Sequence, residues 1–248
     1  MQYKLYQGDC IEVMADMQSD SMDLVFADPP YFLSNGGITC KSGKMVSVNK
    51  GKWDKIKSIE EMHRFNRLWV QQTLRILKDS GSIFISGTFH NIFSVGMAIN
   101  QEGGILLNNI TWQKLNPPPN ISCKCFTHST ETILWAVKNK KKYCFNYTLM
   151  KEYNGGKQMK DVWSGPLTPK KEKCFGKHPT QKPEYLLERI ILAASKKGDL
   201  VFDPFCGSGT TGVVALRYER KFIGIDRESE YIELAKRRMD NERFQCMA

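Results

Sequence analysis

No apolar run in the 248-residue chain approaches the roughly 18 residues that a membrane span takes. The opening, MQYKLYQGDC, lacks the basic-then-apolar order of a secretory signal, so a cytoplasmic protein without a membrane partner is expected. The eight cysteines (10, 40, 123, 125, 144, 174, 206 and 246) include no C-x-x-C pair and show no regular spacing. That excludes a disulfide scaffold by pattern, and reduced thiols are the expectation. Cys123 and Cys125 with His128, or Cys174 with His178, lack the usual zinc spacing, so no metal is expected. Internal repeats and low-complexity tracts are also missing. What remains is a chain 41% hydrophobic, enough to bury a substantial core.

Positive charge is present in excess and unevenly spread. The formal charge is +10, yet residues 41–57 carry six lysines against Asp54 alone. Residues 138–182 carry twelve lysines against Glu152, Asp161 and Glu172, leaving the remainder slightly acidic. Two concentrated basic segments on an otherwise acidic body suit a polyanion, and nucleic acid is the expected partner. Neither segment has the amphipathic pattern of a membrane-surface helix. The candidate contacts are Lys41, Lys44, Lys50 and Lys52 in the first segment, and Lys140, Lys141, Lys142, Lys170, Lys171 and Lys173 in the second.

Strand-like and helix-like stretches alternate along the chain. Strands are expected at 3–7, 23–27, 83–86, 109–114, 130–137, 200–202 and 222–225, with helices from Gly8-Asp9 through Met17 and at 59–77, 91–99, 184–194, 210–217 and 230–238. Gly81 is read as closing the second helix. This alternation predicts an α/β sandwich on a mostly parallel sheet. Residues 138–177 break the rhythm and read as a lysine-rich insertion on one domain spanning 1–248.

Two strand ends carry the chemistry. In DLVFADPPYFLSNGG, an apolar strand stops at Asp28 because Pro29 and Pro30 cannot donate ladder hydrogen bonds. A carboxylate and the ring of Tyr31 are thereby fixed on a stiff turn at the strand's carboxyl end, the edge where open parallel sheets bind ligands. In LVFDPFCGSGTTG, Gly207, Gly209 and Gly212 match G-x-G-x-x-G between a strand and a helix, and Asp226 ends the following strand. The lysine of a phosphate-binding P-loop is missing. Asp203, directly before the glycines, would repel a dinucleotide's pyrophosphate but suits a ligand with an ammonium group and a ribose. S-Adenosylmethionine fits that description: Asp226 would take the ribose diol, and loop amides from Gly207 to Thr211 would meet its methionine portion.

Taken together, Asp-Pro-Pro-Tyr and this glycine loop resemble the amino-methyltransferases of DNA, which alkylate adenine N6 or cytosine N4. The order, with Asp-Pro-Pro-Tyr first, a basic segment next and the cofactor loop last, resembles the circularly permuted β class. GDCIEVMADM, ITWQKLNPPPN, HSTETILWAVK, HPTQKPEYLLERII and FIGIDRESEYIELAKRR resemble further family segments. The resemblance implies a Rossmann-like, mostly parallel seven-stranded sheet and an S-adenosylmethionine cofactor. Asp28 and the Pro29 carbonyl, held by Pro30, would accept the amine hydrogens of a flipped-out base on which Tyr31 stacks. Asp9 and Cys10 would lie near the cofactor adenine, unless Asp9 merely caps a helix. Thr180 and Lys182 would approach the cofactor carboxylate, and Phe205, Cys206 and Thr210 would belong to its loop, Cys206 as a space-filler. Gly36-Gly37 and the lysines up to Lys57 would form a loop over DNA. Trp53, Trp112 and Trp163 are candidates for base stacking, with core packing the competing role for Trp112. The motif form favours adenine N6, and the family resemblance implies double-stranded DNA and a restriction–modification role, with a cognate endonuclease left open. Cytosine N4, RNA, a catalytically silent binder and a homodimer stay open at this point.

Overall fold

The computed structural model describes residues 2–32, 38–41, 44–47 and 58–247. In chain order its elements are β1 Tyr3–Gln7, α1 Cys10–Ala15, β2 Met22–Ala27, β3 Ile38–Lys41, β4 Lys44–Ser47, α2 Ile59–Ile76, β5 Leu77–Gly87, α3 Ile92–Gln101, β6 Ile105–Lys114, β7 Thr130–Val137, α4 Tyr147–Tyr153, β8 Val162–Gly165, α5 Glu184–Ala194, β9 Leu200–Asp203, α6 Thr210–Arg217, β10 Lys221–Asp226 and α7 Ser229–Met247. A short 3-10 turn, Lys170–Lys173, precedes α5.

β2 explains the layering. Successive strand side chains point to opposite faces, and here both faces are apolar. Leu24 and Phe26 join a core with residues of α5, α6 and α7, while Val25 and Ala27 join a second core with α1, α2 and α3. A sheet between two helical layers results. Its strand order is β1-β10-β9-β2-β5-β7-β6-β8, and β3 pairs with β4 separately. All pairings in the large sheet are parallel except those of β7 with β5 and β6.

The helices follow local chemistry. Ser58 caps α2 by accepting from the Glu61 amide at 3.1 Å, and Glu60 and Glu61 complement the positive end of its dipole. Trp69, Val70, Leu74 and Ile76 supply its buried side. From β2 the chain crosses through α2 to β5 on one side, whereas from β9 it crosses through α6 to β10 on the other. The gap above β9 and β2 is therefore a topological switch point, where doubly wound sheets bind ligands.

Two expectations need correction. The large sheet has eight strands rather than seven, because residues 138–177 are not a mere insertion: they supply β8, whose Trp163 is buried in the core, and α4, whose Met150 packs on Leu192 and Ala193. Gly81 does not end a helix. The chain passes straight from α2 into β5 at Leu77, and Gly81 lies within the strand, where a Cβ would stand 2.9 Å from the Asp23 carbonyl oxygen.

Candidate active site

The turn after β2 holds a buried charged cluster. Asp28 Oδ1 accepts a hydrogen bond from the Tyr31 hydroxyl at 2.5 Å, and Oδ2 accepts from Lys182 Nζ at 2.6 Å. The same ammonium donates to the Tyr31 hydroxyl oxygen at 2.8 Å and faces Glu131 Oε2 at 3.5 Å. Glu131, on β7, is anchored through Oε1 by Lys114 Nζ at 2.7 Å, from the end of β6. Side-chain exposure runs only from 7% for Lys182 to 12% for Asp28 and Lys114.

Burial pushes the Asp28 carboxyl up, and the Lys182 charge opposes that shift. Burial acts the same way on Glu131, but Lys182 and Lys114 outweigh it and hold the carboxyl below its ordinary value. Burial acts to discharge Lys182, yet Asp28 and Glu131 keep its pKa raised. Burial and the neighbouring Asp28 carboxylate raise the Tyr31 hydroxyl well above its usual value, so it stays a neutral phenol.

The adjoining prolines are held as firmly. The Pro30 carbonyl accepts from Asn91 Nδ2 at 2.9 Å. Asn91 Oδ1 accepts from Asn66 Nδ2 at 2.5 Å, and Asn66 Oδ1 accepts from Trp69 Nε1 at 3.1 Å. α2 and the start of α3 thereby fix the turn.

A cavity of about 360 Å³ opens from this turn across the carboxyl ends of β2, β9, β10 and β1. Phe32, Phe65, Phe205 and Tyr231 give it aromatic walls. Asp203, buried beneath it, accepts from the Phe205 amide at 3.0 Å and from the Thr211 hydroxyl at 2.5 Å. Burial pushes its carboxyl up to about 7. Asp226 accepts from the Gly207 amide at 2.8 Å and the Glu228 amide at 2.9 Å, which leaves acceptor capacity on both oxygens. Acids at the strand ends, aromatic walls and no phosphate-binding lysine fit a ligand with a cationic end, a diol and a flat ring, as S-adenosylmethionine has.

Most of the residues expected to surround that ligand are brought together. Asp9, Cys10, Asp28, Pro29, Pro30, Tyr31, Thr180, Phe205, Gly207 and Asp226 all line the cavity. Asp9 also caps α1, accepting from the Ile11 amide at 2.8 Å, and pairs with Arg227. Thr210 and Thr211 sit deeper, beside Asp203. Cys206 is buried, and burial raises its thiol well above the ordinary value, in keeping with a space-filling role. Gly209 is not at the cavity: its φ is +75°, and a Cβ there would stand 2.7 Å from Ala235 Cβ, so it serves the packing of α6 on α7. Gly207, at φ +50°, does face the cavity, with the His178 ring 3.1 Å from the position of a Cβ.

Lys182, expected to approach the cofactor carboxylate, is buried against Asp28. Trp112 and Trp163 are core residues. The lysines divide. β7 runs antiparallel to β5, so Lys140, Lys141 and Lys142 emerge at the sheet edge opposite the cavity, where Lys142 pairs with Asp79 at 3.1 Å. Lys170, Lys171 and Lys173 lie on the cavity side. Their turn is tied to the segment carrying Lys182, since Glu172 accepts through its carbonyl from Gln181 Nε2 at 2.8 Å and through its carboxylate from the Glu184 amide at 3.0 Å. Lys41 and Lys44 fall on the β3–β4 hairpin; Gly36, Gly37, Lys50, Lys52, Trp53 and Lys57 lie outside the described residues. Among the described residues, no group of three or more His, Cys, Asp or Glu could hold a metal. Glu131, Lys114, Asn91 and Asn66 were not singled out by sequence, because each meets the turn only through contacts far apart in the chain.

A doubly wound sheet with this cavity at its switch point, and an Asp-Pro-Pro-Tyr turn at the rim, defines a methyltransferase. A family model described as DNA methylase, for N6 and N4 methyltransferases, matches residues 22–237. The chain is 62% identical over 240 residues to the type II methyltransferase M2.DpnII of Streptococcus pneumoniae, covering 96% of this chain and 90% of the relative. It is 52% identical over 237 residues to the type II methyltransferase M2.MboI of Moraxella bovis, covering 95% and 87%. The crystal structure of the M1.HpyAVI–SAM complex superposes with a TM-score of 0.67 at 26% identity, covering 96% of this chain and 99% of that one. The cytosine-N4-specific PvuII DNA methyltransferase shares the fold, with a TM-score of 0.74 at 20% identity over 96% and 86%. The chain belongs to the DNA methylase family, as an S-adenosylmethionine-dependent DNA amino-methyltransferase of the restriction–modification type.

Proposed function

We propose that the protein methylates N6 of adenine in double-stranded DNA. The observation that carries this reading is the Asp28 carboxylate, fixed at 2.5 Å by Tyr31 and 2.6 Å by Lys182 beside the cavity. An exocyclic amine on an aromatic ring is a poor nucleophile because its lone pair is delocalised. Two acceptors on its hydrogens, one Asp28 oxygen and the Pro29 carbonyl, favour a pyramidal nitrogen with a localised pair. With the Pro30 carbonyl engaged by Asn91, the Pro29 carbonyl is the backbone acceptor assigned this role. S-Adenosylmethionine supplies an electrophilic methyl group on sulfonium. Tyr31 stacks on the base and aims its nitrogen, so much of the rate gain is positional.

On the cofactor side, Asp203 takes the ammonium group and Asp226 the ribose diol. Asp9 and Cys10 border the adenine, with Phe205, Gly207 and Thr180 closing around the remainder. The adenine must leave the duplex, at a cost of a few kcal/mol. Lys170, Lys171 and Lys173, with the basic segment 41–57, offset that cost through phosphate contacts. The chain acts as one domain, 1–248, with 138–177 contributing DNA recognition. The motif form Asp-Pro-Pro-Tyr supports adenine over cytosine. By the same family reading the enzyme works in the cytoplasm, in a restriction–modification system.

The test is incubation with methyl-labelled S-adenosylmethionine and unmethylated duplex DNA, followed by digestion to nucleosides. Label in N6-methyldeoxyadenosine is expected. Label in N4-methyldeoxycytidine would overturn the base assignment, and absence of label from DNA would overturn the substrate.

A further inference from the structure

The amine-methylating function leaves one buried feature unused. Lys182 and Glu131 lie behind Asp28, away from the solvent, and neither lines the main cavity, although Lys182 reaches the small deeper cavity that it shares with Asp203 and Thr211. An ammonium has three protons to donate. Lys182 donates to Asp28 Oδ2 (2.6 Å) and the Tyr31 hydroxyl oxygen (2.8 Å), and its ammonium forms an ion pair with Glu131 Oε2 at 3.5 Å. Its short contacts are thus with the acceptor turn, not with the cofactor carboxylate that the sequence resemblance implied as its partner.

We propose that Lys182 and Glu131 are positioning residues for the acceptor amine: Lys182 holds Asp28 ionised and oriented, and Glu131, pinned by Lys114, holds Lys182. This rests on the amine-methylating function proposed above. The physical need is clear from the reaction itself. The amine nitrogen forms a bond to the methyl carbon as the carbon–sulfur bond breaks, its electron pair staying with sulfur. The nitrogen then carries a positive charge and releases one proton, which Asp28 takes, becoming a carboxylic acid. A carboxylate this buried gains that proton prematurely unless a cation faces it. Once Asp28 is neutral, its attraction for Lys182 falls, and Glu131 keeps the ammonium compensated until the proton leaves. Tyr31 donates to Asp28 and accepts from Lys182, so the same hub fixes the ring that stacks on the base.

The charged and titratable groups around Asp28 are Lys182 ahead of α5, Glu131 on β7, Lys114 at the end of β6, Tyr31 on the same turn, and Asp203 on β9, with His178 at the cavity. Lys182 stabilises the Asp28 anion, whereas Glu131 and Asp203 oppose it. Removing Lys182 and removing Glu131 therefore have opposite effects on the ionisation of Asp28, which a purely structural role would not produce.

The test compares Lys182→Met, Lys182→Arg and Glu131→Gln with the wild type, measuring kcat against pH at saturating DNA and cofactor. Cofactor affinity is measured by calorimetry, and melting verifies that each variant folds. In Lys182→Met, kcat should fall by about 100-fold or more. Its acid limb should move up by about one pH unit or more, with the affinity for S-adenosylmethionine unchanged. Lys182→Arg should keep the acid limb in place. Glu131→Gln should lower kcat through poorer orientation while its acid limb stays or moves down. If Lys182→Met weakens cofactor binding and leaves saturated kcat intact, Lys182 serves the cofactor and the proposal fails. An acid limb that stays put in Lys182→Met also overturns it, leaving packing as the role. Should Lys182→Met fail to fold, an upward shift in Glu131→Gln contradicts the proposal by itself. A wild type inactive on DNA removes the function on which the inference rests, and that control is read before any variant.

Discussion

Asn91 Nδ2 donates to the carbonyl oxygen of Pro30 across 2.9 Å, and Asn91 is itself held by Asn66 at 2.5 Å. Both asparagines are buried, so the contact joins the two helices of one layer to the backbone of the Asp-Pro-Pro-Tyr turn. Truncating Asn91 leaves the Pro30 carbonyl without its side-chain donor and the Asn66 amide with only the Ser94 hydroxyl, at 3.0 Å. Asn91→Ala should cost about 1–3 kcal/mol in a urea melt. It should also lower kcat more than it weakens cofactor binding, since the displaced backbone lies on the acceptor side.

As the proposed ammonium partner, Asp203 should make cofactor binding pH-dependent. Its carboxyl, pushed up to about 7 by burial, is partly protonated near neutrality before the cofactor arrives. An ammonium ligand selects the anion, so affinity is full above pH 7 and is lost as the pH falls below it, with proton uptake by the free protein. Calorimetry in buffers of different ionisation enthalpy should detect about half a proton released on binding at pH 7 and less at higher pH. Asp203→Asn should bind more weakly and remove this dependence.

The glycines of the loop should separate by phenotype. Gly209→Ala forces a side chain into a left-handed backbone and against the Ala235 Cβ and backbone, a loss of about 2–4 kcal/mol in stability with or without cofactor. Gly207→Ala meets the His178 ring at 3.1 Å instead. It should cost less stability, about 1–2 kcal/mol, and chiefly weaken cofactor binding.

The lysine groups should also separate. Replacing Lys170, Lys171 and Lys173 with alanine should weaken DNA binding and reduce its salt slope by about one for each phosphate no longer neutralised. The same change at Lys140, Lys141 and Lys142, at the opposite sheet edge, should leave both unaltered. Fluorescence titration over a salt series measures the two together.

How far the sequence discloses this molecule depends on the range of the interactions involved. Asp28 to Tyr31, and the run from Asp203 to Thr211, are contiguous and bounded by prolines or glycines, so their strand-end positions can be read directly. Helix α5 is equally plain, because Pro183 and Gly198 punctuate a long apolar period. Glu131 is different: it meets Tyr31 across 100 positions and looks like a polar interruption in a strand. β8 is only four residues long on a sheet edge, too short for a periodic signal. Gly81 misleads for a related reason. Its local signal is that of a helix end, and only the neighbouring Asp23 carbonyl explains a glycine inside a strand. Charge by itself carries no direction for Lys140, Lys141 and Lys142, since the antiparallel course of β7 decides which edge they occupy.

The most direct measurement is methyl transfer to duplex DNA and cofactor binding in parallel, for the wild type and Asp28→Ala. If Asp28 is the side-chain acceptor of the amine hydrogens, the variant binds S-adenosylmethionine as the wild type does. Its transfer to adenine N6 should fall by about 1,000-fold or more. Transfer by Asp28→Ala at a rate close to the wild type would contradict the assignment of this turn as the site of amine activation.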